Sequence, residues 1–226
     1  MPKARDSNLE LFRIITMLFI VAHHYVVNSG LNSVIWENYP SAKSLFLLLL
    51  GSGGKIGINC FVLITGYFMC TSKISLRKFL KLFLPFYFYK LLFFGIFTVT
   101  GCADITPKFV IKSLLPITDI EYRFMNCYLV FFCFIPFLNM LIKTMTKRQH
   151  QLLLGLCLLV FTVLPTALIK LSNSYVSWFM VIYLIGSYLR LYPPQWSLNP
   201  KRVAAWFAGS VCLSLISVWG GRKCSV

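Results

Sequence analysis

"LELFRIITMLFIVAHHYV", residues 9–26, is a run that lipid would accept but for four side chains, Glu10, Arg13, His23 and His24. A helix needs about 20 mostly apolar residues to cross a hydrocarbon core ~30 Å thick, and the run from 9 to 28 meets that length. An arginine near the centre of such a span costs at least ~2.5 kcal/mol, so it faces a bundle interior or a watered path. Arg13 and His24 are eleven residues apart. That spacing turns an α-helix by about 1100°, three turns plus roughly 20°, with a rise of ~16.5 Å. Both groups therefore share one helix face at different depths, with Met17, Ile20 and Asn28 near the same stripe. This predicts one wall of a cavity. Glu10, a turn earlier, is placed to pair with Arg13, and His23 points some 100° away from His24.

Composition outside this stretch agrees with a membrane class. Of 226 residues, 58% are hydrophobic and 12% charged, with 21 Phe, and the mean hydropathy is +0.76. Soluble domains carry about 25% charged residues. The net charge of +16 does not point to nucleic acid, because the basic residues cluster between apolar runs, as the positive-inside rule requires. No RNP-like or zinc-finger pattern accompanies them. Of eight cysteines, Cys60, Cys70, Cys127, Cys133, Cys157 and Cys212 fall within apolar runs. No C-x-x-C pair occurs, so these read as small hydrophobes, and no metal site is expected. The first apolar run is too long for a signal-peptide core.

Seven runs predict membrane spans, at about 9–28, 54–70, 82–100, 124–142, 152–170, 175–192 and 203–220, within a single all-α membrane domain covering 1–226. The glycines 51, 53, 54 and 57 predict a break between an interfacial piece and the second span. "TPKFVIKSLL" (106–115) reads as a short helix on the outer surface. With the N-terminus cytoplasmic, twelve Lys and Arg fall inside against seven outside, the bias expected for that orientation. The external segments also hold Glu37, Asp104, Asp119 and Glu121. The last span runs into "GGRKCSV", which reads as a bundle cut short. No internal repeat of the transporter kind is present.

The Arg13-x10-His24 pattern resembles the first-helix signature of the acyltransferase-three family, the integral-membrane O-acetylases of bacterial surface glycans. "GKIGINCFVLITGYFM" (54–69), "LRKFLKLFLPFYF" (76–88), "YRFMNCYLVFFCFIPFLN" (122–139) and "FMVIYLIGSYLRLY" (179–192) resemble further segments of that family in the same order. The resemblance implies a bundle of about ten helices in the bacterial plasma membrane. It also implies transfer of an acyl group, usually acetyl, from acetyl-CoA on the cytoplasmic side to a glycan hydroxyl outside. Acyl-CoA is then a donor substrate, and no resident cofactor is expected. Three positions depart from the family pattern. Thr65 replaces a serine, Lys78 and Lys81 beside Arg77 replace an arginine-rich entry, and Arg123 stands where an aromatic residue is usual, which bears on acceptor binding. Lysine binds phosphate as a point charge without the arginine fork.

In that chemistry His24 is the natural general base, since an imidazole accepts a proton near neutral pH. An acyl-imidazole intermediate is the alternative. Arg13 would hold the donor's polar arm, while Arg77, Lys78 and Lys81 would attract the anionic donor at the cytoplasmic mouth. Positive-inside anchoring also explains those three. Lys90 is placed to face the bundle interior. Asn59 and Thr65 read as helix–helix contacts, and Asn126 and Tyr128 as acceptor contacts or buried hydrogen-bonding groups. His150 reads as a solvated loop residue, and Trp36, Trp178 and Trp196 as an interfacial belt. Two rivals remain: a non-catalytic acyltransferase-like fragment that depends on a partner protein or missing C-terminal helices, and a small-solute transporter.

Overall fold

The computed structural model describes residues 7–39, 41–101, 106–115, 117, 124–167, 174–193, 199, 201–206 and 208–210. Met1–Ser187 form one compact unit and Tyr188–Val226 a second. Among the described residues all regular structure is helical. In order these are α1 (Ser7–Asn28), α2 (Leu31–Glu37), α3 (Ala42–Met69), α4 (Leu76–Val99) and α5 (Pro107–Leu114). There follow α6 (Phe124–Thr144), α7 (Lys147–Leu158), a π-helical turn (Leu159–Val163), α8 (Leu164–Ala167) and α9 (Tyr175–Leu191).

Four of these, α1, α3, α4 and α6, are long and apolar enough to cross a membrane, and α9 is a shorter apolar helix of the same character. Their outward faces carry Leu18, Val21, Phe46, Leu84, Phe88, Phe137 and Met140, all exposed. Helix α4 buries none of its residues. Water would penalise so large an apolar surface, and lipid does not. The chain is an all-α membrane helix bundle.

The predicted break at the second span does not occur. α3 is one unbroken helix of 28 residues, running through all four glycines. The reason lies in its neighbour, because α1 packs along this glycine face. A Cβ at Gly57 would stand 2.8 Å from the Thr16 carbonyl oxygen, and one at Gly53 would stand 3.3 Å from the Phe19 ring. Each glycine costs roughly 1 kcal/mol of helix propensity relative to alanine. Close approach of two backbones in lipid offsets that cost. Gly30, at φ 75°, takes the left-handed turn that ends α1 and lets α2 begin. Val26, Ile35 and Leu47 then pack α1, α2 and α3 together.

A second core joins α3, α6 and α9, with Val62, Phe131, Ile135, Phe179 and Tyr183 fully or almost fully buried. α3 and α9 cross at a glycine pair. A Cβ on Gly66 would stand 2.5 Å from the Tyr183 carbonyl oxygen, and Gly186 lies against the Leu63 carbonyl. The Tyr183 hydroxyl donates to Asn139 Oδ1 at 2.6 Å. Asn139 Nδ2 in turn donates to the Met69 carbonyl at 2.9 Å and the Ser72 carbonyl at 3.4 Å. Helix ends leave their last carbonyls without intrahelical donors, and Asn139 supplies one to the end of α3.

The expected span at 152–170 is built differently. α7 opens on a capping box at Thr146 and Gln149, and a π-turn interrupts the helix just before Pro165. Proline removes a helix donor and crowds the preceding turn, which a wider turn relieves. The expected span at 203–220 lies largely outside the described residues, as do Arg123, Asp104, Asp119, Glu121 and Trp196. In the second unit, Asn199 Oδ1 accepts from the backbone N–H groups of Lys201 and Arg202 and caps a helical turn at 201–206.

Candidate functional site

The residues singled out in the sequence fall into three places. The first is α1. Arg13 Nη1 lies 3.4 Å from Glu10 Oε1, as the spacing predicts, with both side chains about 40% exposed (40% and 42%). Its guanidinium also stands over the Phe68 ring of α3, 5.0 Å from the centroid. An aromatic face and a carboxylate thus hold one cation from two sides. Toward the other end of α1, His24 is exposed, and the Asn28 amide stands 3.5 Å from its Nδ1.

Of the residues on the Arg13–His24 stripe, Met17, His24 and Asn28 are exposed and Ile20 is buried, together with Thr16 and Val26 on the adjoining face of α1. His23, not His24, is the histidine that faces α3. Its Nδ1 bonds the Gly51 carbonyl, and the ring occupies the gap above Gly54. A carbonyl oxygen only accepts, so Nδ1 carries the proton in this contact. The two imidazoles meet edge to face, 5.6 Å between centroids. Glycines three residues apart at 51, 54 and 57 were the available signal, since small residues in a membrane helix mark where a neighbour comes close.

The second place is the start of α4. Arg77, Lys78 and Lys81 are all exposed there, and Lys78 Nζ donates to the Lys73 carbonyl at 2.7 Å. They form an accessible basic edge at one end of the helix, with open geometry.

The third is the far half of α4, where α5 folds back beside it. Tyr87 donates its hydroxyl to the Leu114 carbonyl at 2.7 Å, and Lys90 Nζ donates to the Leu115 carbonyl at 2.5 Å. The two side chains satisfy carbonyls at the end of α5, which fixes that short helix against α4. Lys90, Lys112, Ser113 and Asn126 share a cavity of about 420 Å³ with several aromatic rings.

The remaining candidates are helix contacts. The Asn59 oxygen accepts from Trp178 Nε1 at 2.9 Å, tying α3 to α9. Tyr128 and Thr65 share a hydroxyl–hydroxyl bond of 3.0 Å between α6 and α3, so the hydroxyl retained at Thr65 is used in packing. His150 is not a solvated loop residue. It is almost fully buried, and its Nε2 lies 3.1 Å from the Leu184 carbonyl, joining α7 to α9. The capping box explains this, because it starts α7 early enough to turn His150 inward.

Residues 6–225 match the acyltransferase-three family model, which is described as an acyltransferase domain. The chain belongs to the acyltransferase-three family. No match was found among curated proteins or among solved structures. Family membership brings acyl transfer as the general chemistry, and the helices long enough to cross a membrane make this a membrane acyltransferase domain.

Proposed function

We propose that this acyltransferase-three protein moves an acetyl group from acetyl-CoA to a hydroxyl of a cell-envelope glycan in the bacterial plasma membrane, with its N-terminus cytoplasmic. The observation that carries the reading is Arg13 and His24 on one face of α1, in a chain that matches this family along nearly its whole length.

His24 takes the proton of the acceptor hydroxyl as its oxygen attacks the thioester carbonyl carbon. The carbon–sulfur bond then breaks, and the CoA thiolate recovers the proton from the imidazolium. The Asn28 amide nitrogen stands 3.5 Å from Nδ1; with that amide rotated by 180°, its oxygen would accept Nδ1–H and leave the Nε2 lone pair for the acceptor. Arg13 lies ~16.5 Å along the helix, a separation suited to a donor whose charged end is far from its thioester. Arg77, Lys78 and Lys81 raise the local concentration of that anionic donor. Lys90 and Asn126, which line the cavity beside α4, are the acceptor-side candidates, and Tyr128, Asn59 and Glu10 support the helices that carry the site.

The exposure of His24 favours a second arrangement, in which the face completes its site only against another surface, from a partner or further helices. Both arrangements are tested with membranes containing the chain, labelled acetyl-CoA and an envelope acceptor. Label should enter glycan with the wild type and not with His24→Ala. Transfer that survives His24→Ala removes the role given to this histidine. Transfer seen in native membranes but not with the purified chain supports the partnered arrangement.

A further inference from the structure

We infer that Phe68 is a positioning residue for the acyl donor: its ring draws the Arg13 guanidinium to the end of α3 from which the basic edge of α4 begins. The inference rests on the reading that Arg13 holds the donor's polar arm, and it adds what puts the arginine there.

Arg13 lies in a turn of α1 whose neighbours Leu11, Phe12, Ile14 and Ile15 are all exposed, whereas Arg13 itself is half-buried. The backbone of this turn is fixed against α3. Thr16 is buried, its hydroxyl donates to the Arg13 carbonyl at 2.7 Å, and its own carbonyl stands against Gly57. Phe68 is eleven residues beyond Gly57, three turns plus roughly 20° along α3. It therefore continues the glycine face into the last turn of that helix. The two helices run antiparallel, since Val26 meets Gly51 and Arg13 meets Phe68. Helical side chains lean toward their own N-terminus, and Arg13 leans that way to bring its guanidinium carbon 5.0 Å from the Phe68 centroid.

The chemistry of the contact suits a donor site. An unanchored arginine snorkels to any headgroup within reach. The Glu10 pair is half-exposed and 3.4 Å long, so it restrains the cation weakly. A ring face attracts the guanidinium through its quadrupole and leaves the positive charge in place. α3 ends at Met69, Lys73 follows in the loop, and Lys78 Nζ bonds the Lys73 carbonyl. Phe68 thus keeps Arg13 at the end of the bundle where Arg77, Lys78 and Lys81 stand, and a polyanionic nucleotide donor would meet all four cations from one side.

The test is binding of labelled acetyl-CoA to membranes containing the full chain, against membranes without it, alongside KM and kcat for transfer. Phe68→Leu should raise Kd and KM about fivefold and keep kcat within about twofold of wild type, the worth of one ring face to a half-exposed cation. Phe68→Met, also without a ring, should match Phe68→Leu and stands in for it if that variant does not fold. Phe68→Tyr keeps the ring and should bind as wild type. In an Arg13→Ala background, Phe68→Leu should raise Kd no further. An undiminished further loss in that background would overturn the inference, since the ring would then act without the arginine, and so would failure of Phe68→Tyr to bind as wild type. Unchanged Kd in both ringless variants, with Arg13→Ala still weakening binding, would overturn the positioning role and leave the reading of Arg13 standing. Unchanged Kd in Arg13→Ala, or no binding by wild type, would remove that reading and the inference with it.

Discussion

His23 on α1 donates Nδ1–H to the carbonyl of Gly51 on α3, and its ring fits only because Gly54 has no side chain. The contact fixes the rotation of α1 about its axis. With His23 turned to α3, the next residue, His24, must face away from it by about 100°. Packing at His23 therefore sets where the candidate base stands.

Gly54→Val should lower the thermal midpoint of the detergent-solubilised chain, since a larger side chain cannot share the gap with the imidazole. Overpacking of this kind costs about 1–3 kcal/mol. His23→Asn should be milder than His23→Leu, because the Asn amide nitrogen can take the place of Nδ1 as donor. Equal midpoints for the two His23 variants would mean that the carbonyl contact contributes nothing.

His24→Ala should have the opposite profile. The side chain is exposed, so its loss should leave the midpoint within about 0.5 kcal/mol of wild type. Transfer of labelled acetyl should fall by about 10²- to 10⁴-fold if the imidazole is the general base. A large stability loss with unchanged residual transfer would reverse the roles given to the two neighbouring histidines.

The division between these histidines shows what the sequence could and could not supply. Helical spacing put Arg13 beside Glu10 and on the face of His24, since that is local geometry. It could not say which face of α1 meets α3, because in lipid both apolar and polar faces can pack. The glycines from 51 to 57 read in the sequence as a break, and only the bulky partners Phe19 and His23 on α1 show that they are a contact instead. His150 departs from its expected place in a loop for a related reason. A histidine next to Arg148 and Gln149 resembles a loop, until a capping box starts the helix beneath it. The short helix at 107–114 was legible because Thr106 and Pro107 are strong start signals.

Arg13→Ala should raise the KM for acetyl-CoA more than it lowers kcat, if the guanidinium holds the donor away from the reacting carbon. Glu10→Gln should change stability by less than about 1 kcal/mol, because the pair is half exposed and such pairs contribute little. Equal loss of kcat and kcat/KM in Arg13→Ala would place the arginine at the transition state instead.

Tyr183→Phe removes the donor to Asn139 in a fully buried contact between α9 and α6. It should lower stability by about 1–3 kcal/mol, as expected when a buried acceptor loses its partner. Asn139→Leu should cost more, because Met69 and Ser72 at the end of α3 lose their donor too. Thermal midpoints of the two variants, ranked against wild type, check the order.

His150 makes stability depend on pH. It precedes the apolar run that begins at 152, and burial pushes its imidazole below the ordinary value of 6.5, with the Leu184 carbonyl acting weakly in the other direction. The unfolded chain then takes up a proton that the folded chain resists. Stability from this group is complete above about pH 6.5 and declines as the pH falls from there through the lower folded value. His150→Gln keeps a nitrogen donor for the Leu184 carbonyl but cannot titrate. Midpoints measured between pH 8 and pH 5 should fall more steeply for wild type than for His150→Gln, with the two curves separating below about pH 6.5. Parallel curves would show that the buried imidazole is not the group being titrated.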